Sequence, residues 1–153
     1  MSGKGSYSHV IKNLRQSYDH MAVERDKEEV SSWKRSERQR FLDLLHEEDK
    51  KTLLEIGAGP GVHGKFFQDN GMQVICTDLS PEMVFLCREK GLTAYEMDFL
   101  NLDFPDNSFD AVFVLNCMLH VPRKDFRTVL RRLKKIVETS WTSLFRSVWW
   151  KRI

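Results

Sequence analysis

Three glycines alternate along Gly57-Ala58-Gly59-Pro60-Gly61, directly after the apolar run Leu53-Leu54-Glu55-Ile56 and before a stretch with helical spacing. Alternate glycines leave bare backbone that a ligand can approach, and a helix starting there turns its free N–H groups toward that ligand. Three ligand classes use such a turn. Gly59 to Lys65 spells GxxxxGK, but Phe66 stands where a phosphate-binding loop has the Ser or Thr that holds magnesium. Gly59-x-Gly61-x-x-Gly64 fits a dinucleotide fingerprint, and Asp78 lies near the spacing of a ribose contact, as a nicotinamide-dependent oxidoreductase would need. That match, however, begins three residues past the strand. The third class takes Glu55-x-Gly57-x-Gly59-x-Gly61 in register with the strand end.

This third pattern resembles the first motif of the class I S-adenosylmethionine-dependent methyltransferases, and further segments agree in order and spacing over about residues 50–137. The nearest resemblance in pattern is to small-molecule methyltransferases of the quinone-biosynthesis type. It implies a cofactor, S-adenosyl-L-methionine, contacted by Glu55, Gly57, Ala58, Gly59, Gly61, Asp78, Leu79, Asp98, Phe99 and Asn116. Asp78 in VICTDLSPEM would accept two ribose hydroxyls, a charge-assisted and geometrically selective contact. Asp98 would face the adenine amine and Phe99 the ring. Phe109-Asp110-Ala111-Val112 resembles the entry to the fourth strand, and Leu115-Asn116-Cys117-Met118-Leu119-His120 the loop flanking the cofactor. Glu55 would shape the polar surroundings of the cofactor's amino group.

Methyl transfer from a sulfonium is an in-line displacement, so binding, alignment and exclusion of water suffice and a general base is optional. His120 is the candidate base; the alternative is a histidine that orders the loop before Pro122. Tyr18 and Trp33 are candidates to close over the cofactor, and His63 is expected in a first helical turn without a chemical role. Cys76, Cys87 and Cys117 are widely spaced and lack CxxC, which argues against a disulfide framework or a metal site. Cys87 and Cys117 are expected as small buried apolar residues rather than nucleophiles.

Positioning these groups falls to alternating elements. TLLEI (52–56), QVICT (73–77) and AVFVL (111–115) are short runs suited to strands buried on both faces, and 94–97 is a shorter fourth. Helices are expected over 62–70, over 81–90 with Ser80 as N-cap and Gly91 just past the end, and over 124–137. Such alternation gives an α/β fold, a doubly wound, mostly parallel, Rossmann-like sheet with strands one to four present. Two N-terminal helices precede it. The expected organisation is a helical segment over 1–49 capping the cofactor site, a core over 50–137, and an atypical tail over 138–153.

The composition, 153 residues with 41% hydrophobic and 30% charged, suits one globular domain without a membrane span. With no apolar stretch near the start, the default expectation is the cytosol. The formal charge of +2 hides an asymmetry: residues 1–120 carry 14 Lys and Arg against 20 Asp and Glu, residues 121–153 carry 10 against 2. The basic face over 124–138 lacks interleaved aromatics, so it is expected to be solvated rather than to bind nucleic acid. All 8 glycines lie at or before Gly91, whereas Trp141, Trp149 and Trp150 crowd the tail. Read one base on, any Trp codon before Thr encodes Gly, and Trp-Trp-Lys encodes two. The tail is therefore expected to be an out-of-frame ending that truncates the domain, leaving Val112, Phe113 and Val114 on an exposed sheet edge with part of their helix cover missing. Self-association through that edge or the tail follows from this expectation. The expected activity is methylation of a small-molecule acceptor; a non-catalytic cofactor-binding fragment is the alternative.

Overall fold

The computed structural model describes residues 4–115 and 120–137. In chain order these form α1 (Lys4–Lys27), α2 (Ser32–Glu47), β1 (Thr52–Ile56), α3 (Val62–Asp69), β2 (Gln73–Asp78), α4 (Pro81–Glu89), β3 (Thr93–Glu96), β4 (Ala111–Val114) and α5 (Arg123–Ile136). The four strands make one parallel sheet in the order β3-β2-β1-β4. The order reverses direction between β1 and its two neighbours, and ligands of open α/β sheets bind beyond the strand ends at such a point.

Helices cover both faces because the strands are apolar on both. Leu53, Val74, Cys76, Ala94 and Phe113 face a core with Phe41, Leu42 and Leu45 of α2, Phe67 of α3, and Val84 and Cys87 of α4. Leu54, Ile56 and Val114 join the opposite core with Val129, Leu133 and Ile136 of α5. Local signals set the boundaries of α4: the Ser80 hydroxyl accepts from the Met83 N–H, Pro81 occupies the first helical position, and Gly91 adopts φ +79° beyond the end. At the entry to β4, Asp110 fastens the strand to β1, its carboxylate accepting from the N–H groups of Lys51 (2.7 Å) and Thr52 (2.9 Å).

The expected strand over 94–97 lies one residue earlier, because pairing runs from Ile75↔Thr93 to Asp78↔Glu96. The expectation of wet apolar side chains on β4 is corrected. Phe113 is 1% exposed and Val114 7%, with only Val112 half-buried. Phe113 packs its ring 5.2 Å from Phe41 and 4.9 Å from Phe67, so α2 and α3 supply its cover. β4 is still one of the two edge strands among the described residues, β3 being the other. The tail over 138–153, with the readings attached to it, lies outside the described residues. Truncating the shared aromatic of this core, Phe113→Ala, is expected to lower stability by about 3–5 kcal/mol, read as a reduced urea midpoint with an unchanged slope.

Candidate functional site

A cavity of about 250 Å³ opens at the C-terminal ends of β1 and β2, under α1 and the α1–α2 connection. The glycine loop forms one wall. Gly57, Gly59 and Gly61 have φ of +65°, +58° and +86°, which side-chain-bearing residues rarely adopt. Their roles nevertheless diverge. Gly57, Ala58 and Gly59 line the cavity, whereas Gly61 lies beneath the loop, where an added Cβ would meet Leu92 Cδ1 at 2.8 Å and Cys87 Sγ at 3.0 Å. Gly64, the last glycine of the dinucleotide fingerprint, is likewise a packing residue: a Cβ there would lie 2.7 Å from both Cys76 Sγ and Glu55 Oε2.

Opposite the loop stands Asp78, 8% exposed. Its Oδ2 accepts from Gly59 N–H (2.9 Å) and its Oδ1 from Ser80 N–H (2.9 Å). Burial raises this carboxyl above its ordinary range, and the N–H groups of Ser80, Gly59 and Leu79, with the Arg25 charge, oppose the rise. Beyond these donors the carboxyl keeps acceptor capacity for a further one. Leu79 lines the cavity beside it. Glu55, 3% exposed, also reaches the cavity; burial pushes its carboxyl up to about 8, the Asp78 charge adding to the rise while the Cys76 thiol and Gly64 N–H oppose it. Near neutral pH the Glu55 carboxyl is largely protonated.

Phe99 and Met97 line the cavity, and the Asp98 carboxylate does not. It closes its own turn instead, accepting from Leu100 N–H (2.7 Å), Asn101 N–H (3.0 Å) and the Asn101 side-chain amide (2.7 Å). His120 is exposed at the cavity, its Nε2 2.9 Å from the hydroxyl of Tyr18 on α1. Asn116 lies outside the described residues, as does Cys117. Of the two aromatics expected to close over the site, Tyr18 lines it and Trp33 does not.

α1 is held over the site mainly by polar contacts. Asp19 accepts from the Ser80 hydroxyl, Asp26 pairs with Lys90, and Arg15 pairs with Glu96 at 2.6 Å. His63 stands in the first turn of α3, where it was expected, and lines the cavity, its ring edge-on to Phe113 at 5.8 Å and its buried Nδ1 without a hydrogen-bond partner. Burial first, then the charges of Arg38 and Lys34, push its pKa down to about 4. The usable signal was its position in the first turn after a ligand-facing loop. Among the described residues no group of His, Cys, Asp and Glu could hold a metal ion.

Residues 53–140 match the family model described as a methyltransferase domain, and the chain belongs to that family. It is similar to a demethylmenaquinone methyltransferase of Thermus thermophilus, 34% identical over 85 residues, covering 50% of this chain and 39% of that protein. A demethylmenaquinone methyltransferase of Corynebacterium urealyticum is 31% identical over 106 residues, covering 69% and 44%. The chain thus spans less than half the length of these relatives. In fold it resembles a chain solved as the DhpI-SAH complex, with a TM-score of 0.68 at 24% identity, covering 84% of this chain and 64% of that one. Magnesium protoporphyrin IX methyltransferase from Synechocystis, solved with bound SAM, gives 0.67 at 16% identity, covering 84% and 72%. Nothing in these likenesses supports the oxidoreductase alternative.

The raised Glu55 carboxyl has a definite stability consequence. Its folded pKa, about 8, lies above the ordinary value of 4.5, so the native state binds the extra proton between these values. Its contribution is fully present below about pH 4.5 and is lost as pH rises toward 8, with a limiting slope of about 1.4 kcal/mol per pH unit for one proton. Denaturant unfolding across this window should show the decline in the parent chain and a markedly flatter profile in Glu55→Gln.

Proposed function

We propose that the cavity binds S-adenosylmethionine and that the chain carries the cofactor-binding part of a methyltransferase acting on a small organic acceptor. The carrying observation is the buried Asp78 carboxylate, at the end of β2 and facing a glycine loop across a cavity. Its two oxygens are fixed by backbone donors yet retain acceptor capacity, which suits a pair of adjacent ribose hydroxyls. The donor set fits the cofactor in other respects. Gly57–Gly59 leave room for an extended ligand chain, Phe99 offers a flat apolar face for adenine, and Glu55 sits where a cationic group would draw off its proton. Asp98 serves the adenine side through the turn it closes; its carboxylate meets an amine only by exchanging the Asn101 amide.

When bound, S-adenosylmethionine supplies an electrophilic methyl group on a positively charged sulfur. The chain's own residues then bind, align and exclude water. In this reading residues 1–49 cap the site. α1 keeps water out by its contacts to Ser80, Lys90 and Glu96, and the Tyr18–His120 pair borders the acceptor's side. His120 holds a proton acceptor there, with Tyr18 fixing its Nε2. The family resemblance adds Asn116 as a further cofactor contact. The small-molecule acceptor is supported by the similarity to demethylmenaquinone methyltransferases. Within the described helices none is long and apolar enough to cross a membrane.

Titration calorimetry with S-adenosylhomocysteine tests this reading. The parent chain should bind it and should not bind NAD. Asp78→Asn replaces one acceptor oxygen by a donor, loses charge-assisted bonds of roughly 1.5–3 kcal/mol each, and should weaken binding at least about tenfold. Preferential binding of NAD by the parent would overturn the proposal.

A further inference from the structure

α5 carries seven cations and one acid in 14 residues. Val129, Leu133 and Ile136 bury its inner face against the sheet. Arg123, Lys124, Arg127, Arg131, Lys134 and Lys135 fall on the opposite side, all exposed, within an arc of about 120° and a row of about 18 Å. Arg132 alone turns aside: it donates to the carbonyls of Leu102 and Phe104 and pairs with Asp106 at 3.0 Å. Arg123, Arg127, Arg131, Lys134 and Lys135 form no ion pair with a described carboxylate, and the helix's own acid, Asp125, is half-buried.

This arrangement works against the isolated helix. Arg123, Arg127, Arg131 and Lys135 recur every four residues, where like charges repel, and Arg123 and Lys124 stand in the first turn, at the positive end of the helix dipole. An anionic partner offsets both penalties, and the form of the row narrows which one. No large apolar side chain is exposed on α5, so bases have nothing to stack on, and a convex helix face makes no groove to follow a nucleic-acid backbone. A planar anionic surface meets the whole row at once. In sequence, the tail over 138–153 supplies an apolar complement. Trp141, Leu144, Phe145, Val148 and Trp149 recur there at helical spacing, with Arg146, Lys151 and Arg152 among and after them, the pattern of segments that lie in a bilayer interface.

We propose that the outer face of α5 is a docking surface for an anionic phospholipid bilayer, its cationic row over 123–135 lying parallel to the membrane plane. The inference is independent of what the cavity binds.

Co-sedimentation of the full chain with vesicles tests it, using phosphatidylcholine alone and phosphatidylcholine with an equal part of phosphatidylglycerol. The parent should bind the mixed vesicles and not the neutral ones, and added salt should release it. The triple variant Arg127→Gln/Arg131→Gln/Lys134→Gln removes three exposed charges that form no described ion pair. Its circular dichroism should be unchanged, and its vesicle affinity should fall roughly a hundredfold, whereas Arg127→Lys/Arg131→Lys keeps the parent's affinity. A second set, Arg123→Gln/Lys124→Gln/Lys135→Gln, leaves the first three charges in place and should weaken binding similarly, so that misfolding of one variant does not decide the outcome. Equal binding by the parent and both triple variants assigns the contact to residues beyond α5 and overturns the proposal. A parent that ignores the mixed vesicles overturns it too, including one whose row instead holds duplex RNA, read by fluorescence anisotropy, or a second copy of the chain, read by sedimentation without vesicles.

Discussion

Parallel strands deliver their C-terminal ends to one edge of the sheet, and at that edge the Asp78 carboxylate accepts the Gly59 N–H from the loop after β1 and the Ser80 N–H at the start of α4. Ser80 in turn caps α4 and donates its hydroxyl to Asp19 of α1. One buried acid and its neighbour thereby tie together the loop, the second strand, the fourth helix and the N-terminal cover. A buried carboxylate is tolerated only while it is hydrogen-bonded. The loop conformation and the placement of the Asp78 carboxyl consequently sustain each other.

Glu55 is a second acid, on the strand next to Asp78, and the two differ in what surrounds them. Asp78 has backbone N–H donors on both oxygens; Glu55 is opposed mainly by a thiol and one N–H, and burial keeps it protonated near neutral pH. Two neighbouring acids in unlike surroundings let the cavity offer a hydrogen-bonded carboxyl to hydroxyl donors and a readily protonated one to a cation. A ligand bearing both kinds of group exploits the difference.

Much of this was legible in the sequence because it is local. Strand runs apolar on both faces, the Ser80-Pro81 start and the glycine just past α4 fixed β1, β2 and α4 to within a residue or two. The order of Glu55, the glycines and Asp78 placed the cavity before any contact was known. What escaped depends on contacts distant in the chain. Nothing local says that Gly61 faces Leu92 and Cys87 rather than a ligand, or that Asp98 spends its oxygens on Leu100 and Asn101. Val112, Phe113 and Val114 were expected on an exposed edge because the domain was read as truncated, yet Phe41 and Phe67 reach Phe113 from elements that precede it. The surroundings of His63 likewise come from α2 and β4, far from it in sequence.

The central claim is that a nucleoside ligand seats between the glycine loop and the end of β2. Amide hydrogen exchange with and without saturating S-adenosylhomocysteine tests it most directly. The account predicts slowed exchange confined to residues 57–63, 78–80 and the cover over 14–34, with the α5 amides unchanged. Slowing that spares both the loop and residues 78–80, despite demonstrated binding, would contradict it.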